Sequence, residues 1–133
     1  MTPLRLQVLA ERFAVCRLPP DSPIPPRPQA CGLWSATLTG NELSLVLPES
    51  AAPPGVPTER GWRALEVAGP LDFALTGVMA SLSSPLAAAG ISLFVVSTYD
   101  TDYVLVRDHD LGRAKEALEA AGHQVAEGPG GGS

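Results

Sequence analysis

The sequence has little of what builds cross-links, metal centres or phosphate-binding surfaces. It carries two cysteines, Cys16 and Cys31, and two histidines, His109 and His123, in 133 residues. Two cysteines are too few for a disulfide framework, and there is no C-x-x-C, so no metal site is legible. Nine basic residues stand against fourteen acidic ones, for a formal charge of -5. The nine are scattered from Arg5 to Lys115, with no basic stripe to neutralise phosphates, which argues against nucleic acid as a partner. With so few histidines and no evident nucleophile–base pair, no proton-transfer route can be written. The reading is therefore that the chain is not an enzyme and calls for no cofactor.

The first residues, "MTPLRLQVLAERF", hold no apolar core long enough for a signal peptide. A cytoplasmic protein is expected. One run, 73–99, is free of charge and invites comparison with a membrane span of about 20 apolar residues. Ser81, Ser83, Ser84, Pro85 and Gly90 interrupt it, so it divides into a helix, a glycine stop and a strand. No membrane partner follows.

What is present is a globular composition, with 45% hydrophobic and 17% charged residues. Cys16, inside "FAVCRL", reads as a buried free thiol. Apolar patterning predicts strands at 4–9, 13–18, 33–38 and 43–47. The Pro-rich segment 49–60 reads as a connector. A strand follows at 61–67, then a helix over 76–89 with Val78, Leu82, Leu86 and Ala89 on one face, ended by Gly90. "ISLFVV" and "YVLVR" read as paired strands. Asp110 suits the N-cap of a helix over 111–121, whose apolar face is Leu111, Ala114, Leu118 and Ala121. Gly122 ends it, and "HQVA" forms a last short strand. Pro85 predicts a kink near Ser81. The order βαββαβ predicts an α+β fold with both helices on one face of a sheet.

The first half carries a weak copy of the second. A shift of 60 residues lays Phe13-Ala14-Val15 on Phe73-Ala74-Leu75, Trp34 on Phe94, Thr37 on Ser97 and Glu42 on Asp102. Where the second half has helices, the first has proline-studded segments that cannot be helical. Two copies of one unit are inferred, the first stripped of its helices. The domain reading is 1–60 for this rudimentary unit, 61–126 for the complete one and 127–133 for a disordered tail.

The stretch "LTGVMASLSSPLAAAGIS" followed by "STYDTDYVLV", together with "FAVCRLP", "NELSLVLPE" and "GW" at 61–62, resembles small bacterial tandem ACT-domain proteins. These are related to the CASTOR arginine sensors and to aspartokinase regulatory domains. The resemblance implies a ferredoxin-like ACT domain in the second half, paired side by side with the degenerate first unit. It also implies a free amino acid in a cleft at the interface of the two. The positions carried over are Asp72 to Gly77 and Thr98, Tyr99, Thr101 and Asp102. The expected function is a non-catalytic regulatory sensor; the alternative is a structural or protein-interaction module that has lost its ligand. The expected partners are the amino acid, a second copy in a homodimer and an unidentified protein target.

Chemistry assigns roles to these residues. A ligand carboxylate suits backbone N–H groups at a helix start, here Leu75-Thr76-Gly77. The ammonium suits Asp102 and Asp72, with oxygens from Thr98, Thr101 and Tyr99, and Tyr99 can wall the side-chain pocket. Plainer roles stand beside these. Asp100 suits an exposed turn, Asp102 can bond nearby backbone, and Asp72 can cap the helix. Ser81 and Ser84 read as the wet face of the helix, Trp34 and Trp62 as packing anchors between the halves, and Glu42 as a solvated strand edge.

Overall fold

A computed structural model describes residues 3–69 and 77–127. Two strands, β1 (Arg5–Leu18) and β4 (Thr58–Val67), are long enough to serve two compact units. One unit is Glu11–Trp62; the other joins Met1–Ala10 to Arg63–Ser133. The strands expected at 4–9 and 13–18 are thus one strand. Ala10-Glu11-Arg12 breaks the apolar alternation, yet the extended backbone continues through it. Both carboxylate oxygens of Glu11 accept the Gly32 N–H, at 3.0 and 3.1 Å.

The Glu11–Trp62 unit adds β2 (Ser35–Leu38) and β3 (Leu43–Pro48), in the order β2-β3-β1-β4. The connector opens with a 3-10 turn at Glu49–Ala51 and yields its last residues to β4. Antiparallel register sets Ala14 against Leu47, Cys16 against Leu45 and Leu18 against Leu43. Period-2 alternation puts these six on one buried face. Trp34, Ala52 and Val56 pack against it along with Ala36 of β2, so loop residues supply the cover that helices supply elsewhere. Trp34 therefore anchors this core, and Cys16 is a buried free thiol.

The other unit contains α1 (Val78–Ala88), β5 (Leu93–Ser97), β6 (Asp102–Arg107), α2 (Leu111–Ala120) and β7 (Gln124–Glu127). From β4 onward the order is the expected βαββαβ. Leu82 and Leu86 of α1 and Ala114 and Leu118 of α2 bury one face of the sheet with Leu65, Val67, Val104 and Val106. Both helices stop in the same way. Ile91 N–H donates to Leu86 O and Gly90 N–H to Ala87 O; His123 N–H donates to Leu118 O and Gly122 N–H to Glu119 O. These are Schellman motifs with glycine in left-handed backbone, at φ 73° and 100°. The uncharged run, over its described residues, is α1, the Gly90 turn and β5. Among the described residues no helix is long and apolar enough to cross a membrane.

One strand placement was not foreseen, and the expectations for Asp110 and Ser81 are corrected. The residues of β1 at Arg5–Val8 lie between β4 and β7: β7 pairs with them in parallel, Arg5 opposite Gln124, while Ala68 N–H donates to Arg5 O at 2.8 Å. Asp110 stands at the N-cap position of α2 but makes no capping bond; it ends a 3-10 turn (Asp108–Asp110) and pairs with Arg113 at 2.8 Å. Ser81 is buried, not wet, and its Oγ donates to Val78 O at 2.8 Å. The reason lies in Pro85. Proline has no N–H to give the carbonyl four residues back, which is that of Ser81. His123 fills the vacancy: its Nε2 lies 3.0 Å from Ser81 O, and its Nδ1 accepts the Leu4 N–H at 3.0 Å. That pattern assigns the proton to Nε2 of a neutral imidazole. Ser84 is exposed as expected. Glu127 closes β7; the rest of the tail expected to be disordered lies outside the described residues.

Candidate functional site

The polar run 97–102 is first of all a hairpin turn. Ser97 and Asp102 form the last β5–β6 pair, and Thr98 to Thr101 make the loop. Thr98 N–H donates to Thr101 O at 2.8 Å. The Thr98 hydroxyl donates to the same carbonyl at 3.1 Å and accepts the Thr101 N–H at 3.2 Å. Thr101 is buried, and its Oγ1 donates to Val67 O at 2.6 Å, tying the turn to the end of β4. Asp100 is exposed, and Tyr99 is 81% exposed. Asp102 is half-buried at the start of β6.

The Glu11–Trp62 unit contains the same turn. Thr39 N–H donates to Glu42 O at 2.9 Å, and the Thr39 hydroxyl donates to that carbonyl at 3.4 Å and accepts the Glu42 N–H at 3.1 Å. Thr39 and Thr98 are 59 residues apart and close hairpins with the same loop length. In this hairpin the shift of 60 is corrected to 59, which makes Glu42 the counterpart of Thr101 rather than Asp102. The earlier anchor of that alignment, Phe73-Ala74-Leu75, lies outside the described residues.

Of the remaining predicted residues, Gly77 is the N-cap of α1, with left-handed backbone at φ 77°, exposed, its carbonyl accepting the Ser81 N–H at 2.9 Å. Asp72, Leu75 and Thr76 lie outside the described residues. The structure thus brings Thr101 to the end of β4, with Thr98 and Asp102 beside it in the same turn and Tyr99 and Asp100 at the tip.

Sequence reasoning overlooked Tyr103. Its hydroxyl donates to Glu66 Oε2 at 2.9 Å, across from β6 to β4. Partial burial pushes the phenol up to about 12, helped by the hydrogen bond and negative charge of Glu66 and by the charge of Asp100. No local signal pairs these residues, because strand register alone places them together.

Comparison with known proteins now fixes the class. Residues 58–120 match the family model for the ACT domain. The Agobacterium tumefaciens protein Atu0741 is 35% identical, with a TM-score of 0.89 over 97% of this chain and 96% of that one. The ligand-free regulatory subunit of aspartate kinase from Thermus thermophilus shares the fold, with a TM-score of 0.62, 11% identity and coverage of 88% and 96%. The human protein named cytosolic arginine sensor for mTORC1 subunit 1 is 39% identical over 59 residues. That stretch is 44% of this chain and 18% of the sensor, so the chain matches less than a fifth of the sensor's length. The chain thus carries an ACT domain over 58–120, of α+β fold, and over 59 residues it is similar to a protein named as an arginine sensor.

Proposed function

We propose that the protein is a non-catalytic amino-acid sensor whose ligand site is the polar end of β5 and β6 together with the loop after β4. The observation that carries this reading is the ACT-domain match over 58–120, which spans that strand end and that loop. The ligand carboxylate lies on the backbone of Leu75, Thr76 and Gly77 at the start of α1, where N–H groups and the helix dipole favour an anion. Asp102 and Asp72 take the ammonium, and Tyr99 walls the side chain. Thr98 and Thr101 line the end of the strand, although their hydroxyls are already engaged within the turn and with Val67. A relative named as an arginine sensor makes arginine the first ligand to test. The protein acts in the cytoplasm, through a protein target.

Calorimetric titration of the full chain with free amino acids, arginine first, tests this. Saturable heat that disappears in Asp102→Ala is expected. The engaged threonine hydroxyls favour one rival reading, a protein-interaction module with no remaining ligand; absence of heat from all twenty amino acids would establish that rival. A homodimer is also expected, because pairing removes exposed strand edges such as β5, the outermost strand of its unit. A strict monomer by light scattering at high concentration would contradict it.

A further inference from the structure

The crossover from β1 to β2 contains the segment "SPIPPRP", Ser22 to Pro28. Each proline fixes its own φ at about −65°, and Ser22, Ile24, Pro25 and Arg27 each precede a proline, which holds them extended. A run of such residues is a polyproline II helix, with about three residues per turn. Exposure follows that period. Ser22, Pro25 and Pro28 are half-buried, and the two residues after each of them are exposed. One ridge of the helix therefore rests on the protein, and two face solvent. Pro23 and Pro26 share one solvent ridge; Ile24, 57% exposed, and Arg27 share the other. Both β1 and β2 run antiparallel to β3, and a crossover between strands of the same direction is usually a helix that covers the sheet. Here no residue between Leu18 and Leu33 is buried, so covering the core does not account for the prolines.

We propose that this helix docks in a groove of a partner protein, lined by aromatic side chains and flanked by a carboxylate. Grooves of that kind read P-x-x-P on a preformed polyproline II helix. Pro23-Ile24-Pro25-Pro26 supplies that pattern with both outer prolines on one solvent ridge, about 9 Å apart at roughly 3.1 Å per residue. Arg27 follows at once and is exposed; its guanidinium stacks on a ring of the groove and pairs with the carboxylate beside it. Asp21 stands at the opposite end, in the turn closed by the Ser22 N–H to Pro19 O at 3.1 Å. Unlike charges at the two ends admit the segment to such a groove in one direction only. Because the prolines hold the bound shape in advance, docking orders little chain. The segment lies outside the ACT-domain match at 58–120, and the proposal does not rest on the ligand site.

Amide NMR of the labelled full chain, titrated with purified SH3 and WW domains that carry acidic residues beside the groove, tests it. Saturable shifts at Ser22, Ile24, Arg27 and Gln29 are expected. Pro26→Ala and Arg27→Glu, both on solvent ridges, should each weaken that response about tenfold and leave the unfolding midpoint unchanged. Arg27→Lys should weaken it less, because the charge remains and only the planar fork is lost. No shift at 22–30 with any of these domains would overturn the proposal, and so would shifts of full affinity in Pro26→Ala. Shifts at 22–30 that grow with the protein's own concentration would name a second copy as the occupant and overturn it as well.

Discussion

The two units solve one problem with different covers. Each buries one face of a sheet, and each closes one hairpin, β2–β3 or β5–β6, with the same threonine turn. One lays two helices over its face; the other uses the loop residues Trp34, Ala52 and Val56. The strand ladders and turns are therefore the common plan, and the cover is replaceable by any apolar group that excludes water. Helices bring their own demands. Each must be stopped, and α1 must survive a proline, which is why Gly90, Gly122 and His123 belong to that unit alone.

The strongest way to sharpen this contrast is to remove the histidine pin. His123→Ala leaves the Leu4 N–H and the Ser81 carbonyl buried without partners, and roughly 1–3 kcal/mol for each such group predicts a loss of about 2–6 kcal/mol in urea unfolding. In a Pro85→Ala background the restored N–H can take the Ser81 carbonyl, so the same substitution should lose about half of its effect. An unchanged cost in that background would refute the pairing of Pro85 with His123.

Smaller effects test the likeness of the turns. Thr98→Val and Thr39→Val both remove the hydroxyl's two bonds across the turn, Thr39→Val also the one accepted from the Asn41 N–H, and each should destabilise by about 1 kcal/mol. Thr101→Val removes one bond only, that of its buried Oγ1 to Val67 O, and leaves the turn bonds to its backbone in place; stranding that carbonyl should cost about 1–3 kcal/mol. A cost at one turn and none at the other would break the comparison.

The smallest effect is specific to β6. Tyr103 has a folded value of about 12 against an ordinary 10.0, so its contribution to stability is complete below pH 10 and is lost as pH rises from about 10 to 12. Tyr103→Phe should flatten the fall of stability over that window and change little at neutral pH. An unaltered slope would contradict the link to Glu66.

Much of this was legible in local pattern. The order of elements from 61 onward, the two glycine stops, the buried Cys16 and the helix-free nature of the first unit follow from periodicity, glycine and proline. What escaped depends on distant partners. Nothing near Arg5 announces that its strand lies between β4 and β7, and nothing near Ser81 announces a histidine 42 residues away. Asp110 looks like a cap until Arg113 claims its carboxylate. The run at 97–102 carried two meanings in sequence. Its threonines serve the turn, so the proposed ligand site rests on Asp102, Tyr99 and the loop after β4.

The central claim is that a free amino acid binds this protein. Thermal unfolding of the full chain with each of the twenty amino acids at millimolar concentration tests it most directly. A ligand present at about 100 times its dissociation constant adds roughly 2.7 kcal/mol, a rise of several degrees in midpoint for a chain of this size. The account predicts that rise with a basic amino acid, reduced in Asp102→Ala. Twenty superimposable unfolding curves would contradict it.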